Sequence, residues 1–232
     1  MRTVGSVGEE TAKLVRRAAV DLIAEHGFEA MSIRQLATRV GLTPGSLYNH
    51  FGSKQDLLSG LLQAVMEDLL SAVEQQVLPR RDPVMQLKAF IQLHIQFHVD
   101  RKNDVLIATT ELRSLTAANL RRIVRLRNRY EATLSLILKR GRDRRMFKLR
   151  DTKVTALAMI PMLTGVTQWY RPNGRLSRDE LIGYYIDLCL SMVGASRGAA
   201  TALPTALELN NDNMRVADLR VKPRRVSSDG SS

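Results

Sequence analysis

The stretch Ser32-Ile33-Arg34-Gln35-Leu36-Ala37, continued by Gly41-Leu42-Thr43-Pro44-Gly45-Ser46-Leu47-Tyr48-Asn49-His50-Phe51-Gly52-Ser53-Lys54, decides how this chain is read. Ser32 precedes the apolar positions Ile33, Leu36, Ala37 and Val40, and Gln35 stands three residues after it. That is the pattern of a capping box opening a short helix. Gly41 ends it. Thr43 is a good N-cap and Pro44 suits a first helical position, so a further short helix is expected over 44–50. Two short helices joined by Gly41-Leu42-Thr43 form a helix-turn-helix. Such a unit lays its second helix in the major groove, with its N-terminal residues at base edges.

Those residues are Thr43, Pro44, Gly45 and Ser46, all small, so backbone can approach a duplex closely while few long base-reading groups are offered. Ser46 and Asn49 can hydrogen-bond bases. Arg34, in the first turn of the preceding helix, can reach guanine O6 and N7, and Ser32 belongs to the same surface. Tyr48, His50 and Lys54 read as phosphate holders; Lys54 opens the next helix, where free backbone N–H groups face the same anion. Leu36, Ala37, Val40, Leu42, Leu47 and Phe51 read as a small core.

Outward from this motif nearly every segment has helical periodicity. A helix over 9–26 precedes it, with Leu14, Ala18, Ala19, Leu22 and Ile23 on one face. A long helix capped by Ser53 follows it and stops before Pro79. Further helices are expected over 83–101, 104–115, 117–141, 151–170 and 177–193. No strand alternation and no repeat is found, so the fold class is all-α. From residue 195 the chain turns small, polar and charged, and the tail over 195–232 reads as mostly disordered.

The 232 residues carry 35 Lys and Arg against 23 Asp and Glu, a net +12, with 44% hydrophobic residues and a single cysteine, Cys189. A disulfide scaffold is excluded. The longest apolar run, 156–163, is far short of the ~18 residues of a membrane span, and no signal peptide is visible. A soluble cytoplasmic protein with no membrane partner is expected. Residues 1–60 have a net charge of only +1, whereas 121–150 have +10. The mid-chain excess has two readings, a solvated helix face or an anion site for a phosphorylated ligand.

On the fifth helix His94 and His98 share the apolar face of Leu87, Phe90, Ile91 and Phe97. Three readings stand: core histidines bonded to a neighbour, a metal pair without a third ligand, or the lining of a ligand pocket. Arg127 lies within the inward stripe of Leu120, Ile123, Tyr130, Leu134 and Ile137, and needs a partner; Glu111, a ligand anion and a snorkelling position are the candidates. Arg121 and Arg125 form a row on the more polar side. The last two helices are apolar on more than one face, which points to a partner subunit and a four-helix homodimer interface. Pro161 is expected to kink its helix. No nucleophile motif, phosphate loop or metal spacing accompanies His94, His98, Glu111 and Cys189, so no enzyme, metal or cofactor is expected.

The motif from Ser32 to Lys54, with its Leu-Tyr-x-His-Phe-x-x-Lys pattern, closely resembles the DNA-binding domain of the TetR family of bacterial repressors, over about residues 12–58. The resemblance implies an obligate dimer, a double-stranded DNA operator with two-fold symmetry, and a small-molecule effector bound in the C-terminal domain. By family position Tyr48, His50 and Lys54 match phosphate contacts. Arg34, Thr43, Gly45 and Ser46 match positions facing bases or backbone, and Pro44 stands where some members carry a base-reading side chain. Trp169-Tyr170-Arg171-Pro172-Asn173-Gly174 is similar to a segment of TetR-type repressors of fatty-acid and steroid degradation that respond to acyl-CoA thioesters. With that likeness, His94, His98, Glu111, Arg121, Arg125, Arg127, Tyr130 and Trp169 become the candidate ligand residues. The expected organisation is a flexible arm over 1–8, a three-helix helix-turn-helix domain over 9–55, a ligand-binding and dimerisation domain over 56–194, and the tail. The expected function is a repressor released by an effector, with an acyl-CoA thioester as the candidate. The alternatives are release by an uncharged hydrophobic compound, or a sequence-tolerant architectural DNA binder.

Overall fold

A computed structural model describes residues 4–195 of the chain. Residues 1–3 and 196–232, which include nearly all of the expected tail, lie outside the described residues. Ten α-helices succeed one another: α1 (Val4–His26), α2 (Ile33–Val40), α3 (Pro44–Leu47), α4 (Lys54–Gln76), α5 (Pro83–Asp100), α6 (Lys102–Thr110), α7 (Ala117–Asp143), α8 (Thr152–Thr164), α9 (Val166–Trp169) and α10 (Arg178–Met192), with a 3₁₀ turn, Glu111–Ser114, between α6 and α7. No strand occurs among the described residues, and none of their helices is long and apolar enough to cross a membrane.

Local chemistry sets most of the helix starts. The side chains of Ser32, Thr43, Ser53, Asp82, Thr116, Asp151 and Ser177 each accept a first-turn N–H, a bond that stabilises a helix by ~1 kcal/mol. Ser32 and Ser177 complete full capping boxes with Gln35 and Glu180. Gly41 ends α2 in the left-handed conformation, φ +69°, where a side chain would be strained.

Several boundaries differ from those read in the sequence. α1 begins at Val4 rather than at residue 9, since no proline stands between them to stop it. α3 ends at Leu47, because Asn49 and His50 tighten the chain with N–H bonds to the carbonyls of Ser46 and Leu47, three residues back. The segment 104–115 becomes α6 and the 3₁₀ turn. The segment 151–170 divides at Gly165, one turn after Pro161, which stands inside α8.

Two cores result. One joins Val15, Ala19, Ile23, Phe28, Leu36 and Leu47 of the first three helices and the loop after α1 to Leu57, Leu58, Leu61 and Leu62 in the first half of α4. It is closed from outside by Ile107, Ala108, Leu115 and Ile123, from α6, the turn and α7. The other lies among α4 to α10, from Met66 to Val193, around Phe90, Ile91, Leu134 and Ile137. The N-terminal core therefore runs past residue 55 and recruits residues more than a hundred positions from its start.

Candidate functional site

The surface of α2 and α3 is the first candidate. Ser32 is spent on its cap. Arg34 is exposed in the first turn of α2. Thr43 Oγ1 accepts the Ser46 N–H at 3.2 Å and lies 2.9 Å from the Ser46 hydroxyl, so the two small side chains hold each other at the entrance to α3. A Cβ built on Gly45 meets nothing nearer than Thr43 Oγ1 at 4.0 Å. Inward packing therefore does not require a glycine there. Pro44 fills the first helical position. Tyr48, Asn49 and His50 are exposed beyond α3, with the Tyr48 ring 6.0 Å from Phe51. Tyr48 is 51% exposed and is not a core side chain. Lys54 bends back: its ammonium donates to the Glu29 carbonyl at 3.1 Å and lies 4.4 Å from the centre of the Phe28 ring. The charge stays at the N-terminus of α4, braced against the loop after α1. The structure thus brings Arg34, Gly45, Ser46, Tyr48, Asn49, His50 and Lys54 to one small head, with Arg34, Tyr48, Asn49 and His50 exposed and Ser46 and Lys54 partly buried.

This head is tied to the rest by groups that the sequence reading did not single out. Gln55, one residue into α4, donates to the Ser114 carbonyl at 2.7 Å and accepts the Thr116 N–H at 3.3 Å. Asn103 donates to Asp21 at 3.1 Å, joining α6 to α1. Within the body, Arg101 sits between Asp68 and Asp104, over the Phe97 ring. Gln55 and Asn103 are common polar residues with partners about sixty and eighty positions away, and nothing local marks them.

The body holds the second candidate. His94 is buried; its Nδ1 lies 2.8 Å from the Tyr130 hydroxyl and its Nε2 3.1 Å from Thr164 Oγ1. His98 stacks on it, with centroids 3.7 Å apart, and its Nδ1–H donates to the His94 carbonyl at 2.7 Å. A carbonyl only accepts, so neutral His98 carries its proton on Nδ1. Burial pushes His94 well below the usual histidine value, helped by the His98 charge when present, and pushes His98 down to about 4. Burial raises the Tyr130 phenol. All three are uncharged at neutral pH. The histidines are bonded to neighbours within a core, one of the three readings above. No group of three His, Cys, Asp or Glu able to hold a metal stands among the described residues.

Glu111 and Arg127 do not meet. Arg127 donates to the Ala108 carbonyl at 2.6 Å. That carbonyl lies in the last turn of α6, where no helical N–H is left to take it. Burial lowers the Arg127 pKa. Glu111 turns the other way, accepting the Phe28 N–H at 3.4 Å and the Ser114 hydroxyl at 2.7 Å. Of the three candidates for Arg127, Glu111 is therefore not its partner, and each of the two side chains bonds to backbone instead. Arg121 and Arg125 are exposed on α7. Trp169 is half exposed and edge-on to Tyr170. Of the candidate ligand residues, only His94, His98 and Tyr130 form one cluster.

With this geometry in place, the likeness to known proteins is direct. The family described as "Bacterial regulatory proteins, tetR family" matches residues 15–61, and the "Tetracyclin repressor-like, C-terminal domain" matches residues 80–193. The "HTH-type transcriptional repressor KstR2" of Mycobacterium tuberculosis is 25% identical over 191 residues, 82% of this chain and 95% of that protein. The crystal structure of the TetR family transcriptional regulator PfmR from Thermus thermophilus superposes with a TM-score of 0.71 at 30% identity, covering 76% of this chain and 97% of PfmR. AibR, solved in complex with isovaleryl coenzyme A and operator DNA, gives a TM-score of 0.69 at 22% identity over 77% of this chain and 97% of AibR. These relatives are regulators of transcription rather than enzymes. Both halves of the chain, the small head and the helical body, carry the match: the chain belongs to the TetR family of bacterial regulatory proteins.

Proposed function

We propose that this protein is a repressor working in the cytoplasm, which binds a two-fold symmetric operator as a homodimer and is released by a small-molecule effector, an acyl-CoA thioester. The observation that carries the reading is the head, whose exposed polar row is hydrogen-bonded through Gln55 and Glu111 to the turn between α6 and α7. In this assignment residues 9–55 read the DNA, while 56–194 bind the effector and the partner subunit.

Dimerisation is supported by α8 and α10, which leave Val154, Leu157, Tyr184, Leu188 and Met192 exposed. Such apolar faces are suited to a four-helix contact between two copies. Two heads set about 34–36 Å apart enter successive major grooves of one duplex. An effector acts by its differential affinity for the conformations that do and do not allow that spacing. KstR2 is named a repressor and AibR was solved with an acyl-CoA and its operator, which supports the same chemistry here. Arg121 and Arg125 supply cations for the phosphates of such a ligand.

The neutral His94–Tyr130–Thr164 network favours a second reading, an effector that is uncharged where it meets this cluster. Fluorescence anisotropy with duplexes from the region upstream of the protein's own gene tests the first. Added acyl-CoA should release the duplex, and an excess of random duplex should not. Release by uncharged compounds alone would favour the second reading, and equal competition by random duplex would overturn the repressor. Arg121→Glu with Arg125→Glu should keep operator binding and reduce the acyl-CoA response at least tenfold. Loss of both together would reject the anion site.

A further inference from the structure

The cations that the head does not use gather at the opposite end of the body. Residues 80–82 and 139–153 hold ten Lys and Arg against Asp82, Asp143 and Asp151, a net +7 of the chain's +12. The 23 residues of α4 run from Lys54 in the head to Gln76, with Arg80 and Arg81 just beyond. At 1.5 Å per residue this places the pole about 35 Å from Lys54.

The pole is one surface. Arg144 donates to the Arg81 carbonyl at 3.1 Å, and the Lys148 N–H donates to the Val193 carbonyl at 2.7 Å. Phe147 folds onto Gly141, where a Cβ would lie 2.0 Å from its ring. This closure turns the chain sharply, with Arg145 at φ +59°. The three acids are already engaged. Asp82 accepts the Met85 N–H, Asp151 accepts those of Lys153 and Val154, and Asp143 pairs with Lys139 and Arg142. Eight of the ten cations are exposed, among them Arg81, Arg140, Arg145, Lys148 and Arg150.

We propose that this pole is a second nucleic-acid surface, which holds the phosphate backbone of non-operator duplex DNA while the head keeps the operator. Seven of the ten cations are arginines, whose planar forks match phosphate oxygens. Their number and spread suit a polymer with a negative charge every ~1.7 Å of axis better than a single small anion. A membrane-surface site interleaves cations with apolar side chains; among residues 139–153 Phe147 is buried and Met146 and Leu149 pack on the core, and the exposed Leu78, Leu136 and Val154 lie only at the margin of the pole.

A sandwich assay with the full chain tests this. An operator duplex is fixed to beads, the protein is loaded, and a labelled random duplex of about thirty base pairs is offered at ~100 mM salt. The wild type should retain the label, with retention falling steeply as salt rises. Arg81→Glu, Lys148→Glu and Arg150→Glu together, all on exposed side chains, should keep operator binding and thermal unfolding unchanged and cut retention at least tenfold. Unchanged retention in this variant would overturn the proposal. So would a wild type that retains no random duplex, or one that floats with phosphatidylglycerol vesicles in preference to it. If no operator is found, binding of random duplex is compared between the Tyr48→Ala, Lys54→Ala variant and the same variant carrying the three pole substitutions. Loss of binding only when the pole substitutions are added supports the pole, and equal binding by the two overturns it, whatever becomes of the repressor assignment.

Discussion

The head and the body treat polar groups in opposite ways. Between residues 8 and 62 every buried side chain is apolar except Ser59, whose hydroxyl donates to the Asp56 carbonyl, and the polar atoms of α2 and α3 serve caps or face out. The body buries Gln86, Lys88, His94 and His98 within its own packing. A surface that must meet an external polyanion keeps its donors at the rim, where their dehydration is deferred to binding. A helical body holds buried polar groups chiefly by pairing them, as Tyr130 and Thr164 do for His94, while Gln86 Oε1 is buried without a partner among the described residues. The difference teaches that the head is specified by short-range sequence and the body by long-range pairing.

The largest expected effect that sharpens this contrast is pH dependence of stability. Below the ordinary histidine value of 6.5 the unfolded chain takes up protons that folded His98 refuses until about pH 4. Stability is therefore complete above pH 6.5 and is lost as pH falls towards 4, by about 3 kcal/mol from His98 at 1.36 kcal/mol per pH unit, with His94 acting in the same direction. Urea unfolding between pH 7 and 4.5 measures this, and His94→Phe with His98→Phe should flatten the profile. A flat wild-type profile would break the contrast.

Two glycines give the next effect. Gly141→Ala drives a methyl into Phe147 and should cost about 2 kcal/mol. Gly60→Ala, on α4 with nothing within 4 Å of its Cβ, should instead raise stability by ~0.5–1 kcal/mol. Thermal melts of the two variants should move in opposite directions. Glu111→Gln removes the charge that accepts the Phe28 N–H and Ser114 hydroxyl. It should cost about 1 kcal/mol and blunt effector release while operator affinity in the absence of effector changes little. An effector response equal to wild type would place the coupling elsewhere. The smallest effect is Lys54→Met, which keeps an unbranched side chain but removes the charge that lies over Phe28. It should weaken every duplex alike and lower the salt slope of binding by about one unit, and an unchanged slope would remove Lys54 from the phosphate contacts.

The same contrast explains what could be read in advance. Ser32, Thr43 and Ser53 announce their helices within four residues, and the head followed from them. The order of the body helices followed from periodicity. Its pairings did not: the Glu111 carboxylate finds Phe28, 83 positions away, and Arg127 finds the carbonyl of Ala108, 19 away, through helix packing that no local pattern encodes. Gln55 looked like any solvent-facing residue until the turn before α7 came to rest against it. The histidines of α5 were visible as a pair on an apolar face, but choosing among core, metal and pocket required Tyr130 and Thr164 to be placed beside them.

The lid over the N-terminal core bears on protein engineering. Ile107, Ala108, Leu115 and Ile123 share one core with Leu57, Leu58, Leu61 and Leu62, so cutting after Leu62 would leave those leucines without the distant part of that core. A chimeric sensor built by grafting only residues 1–62 onto a foreign scaffold should aggregate, and the transplantable module is that segment together with the span from Ile107 to Ile123.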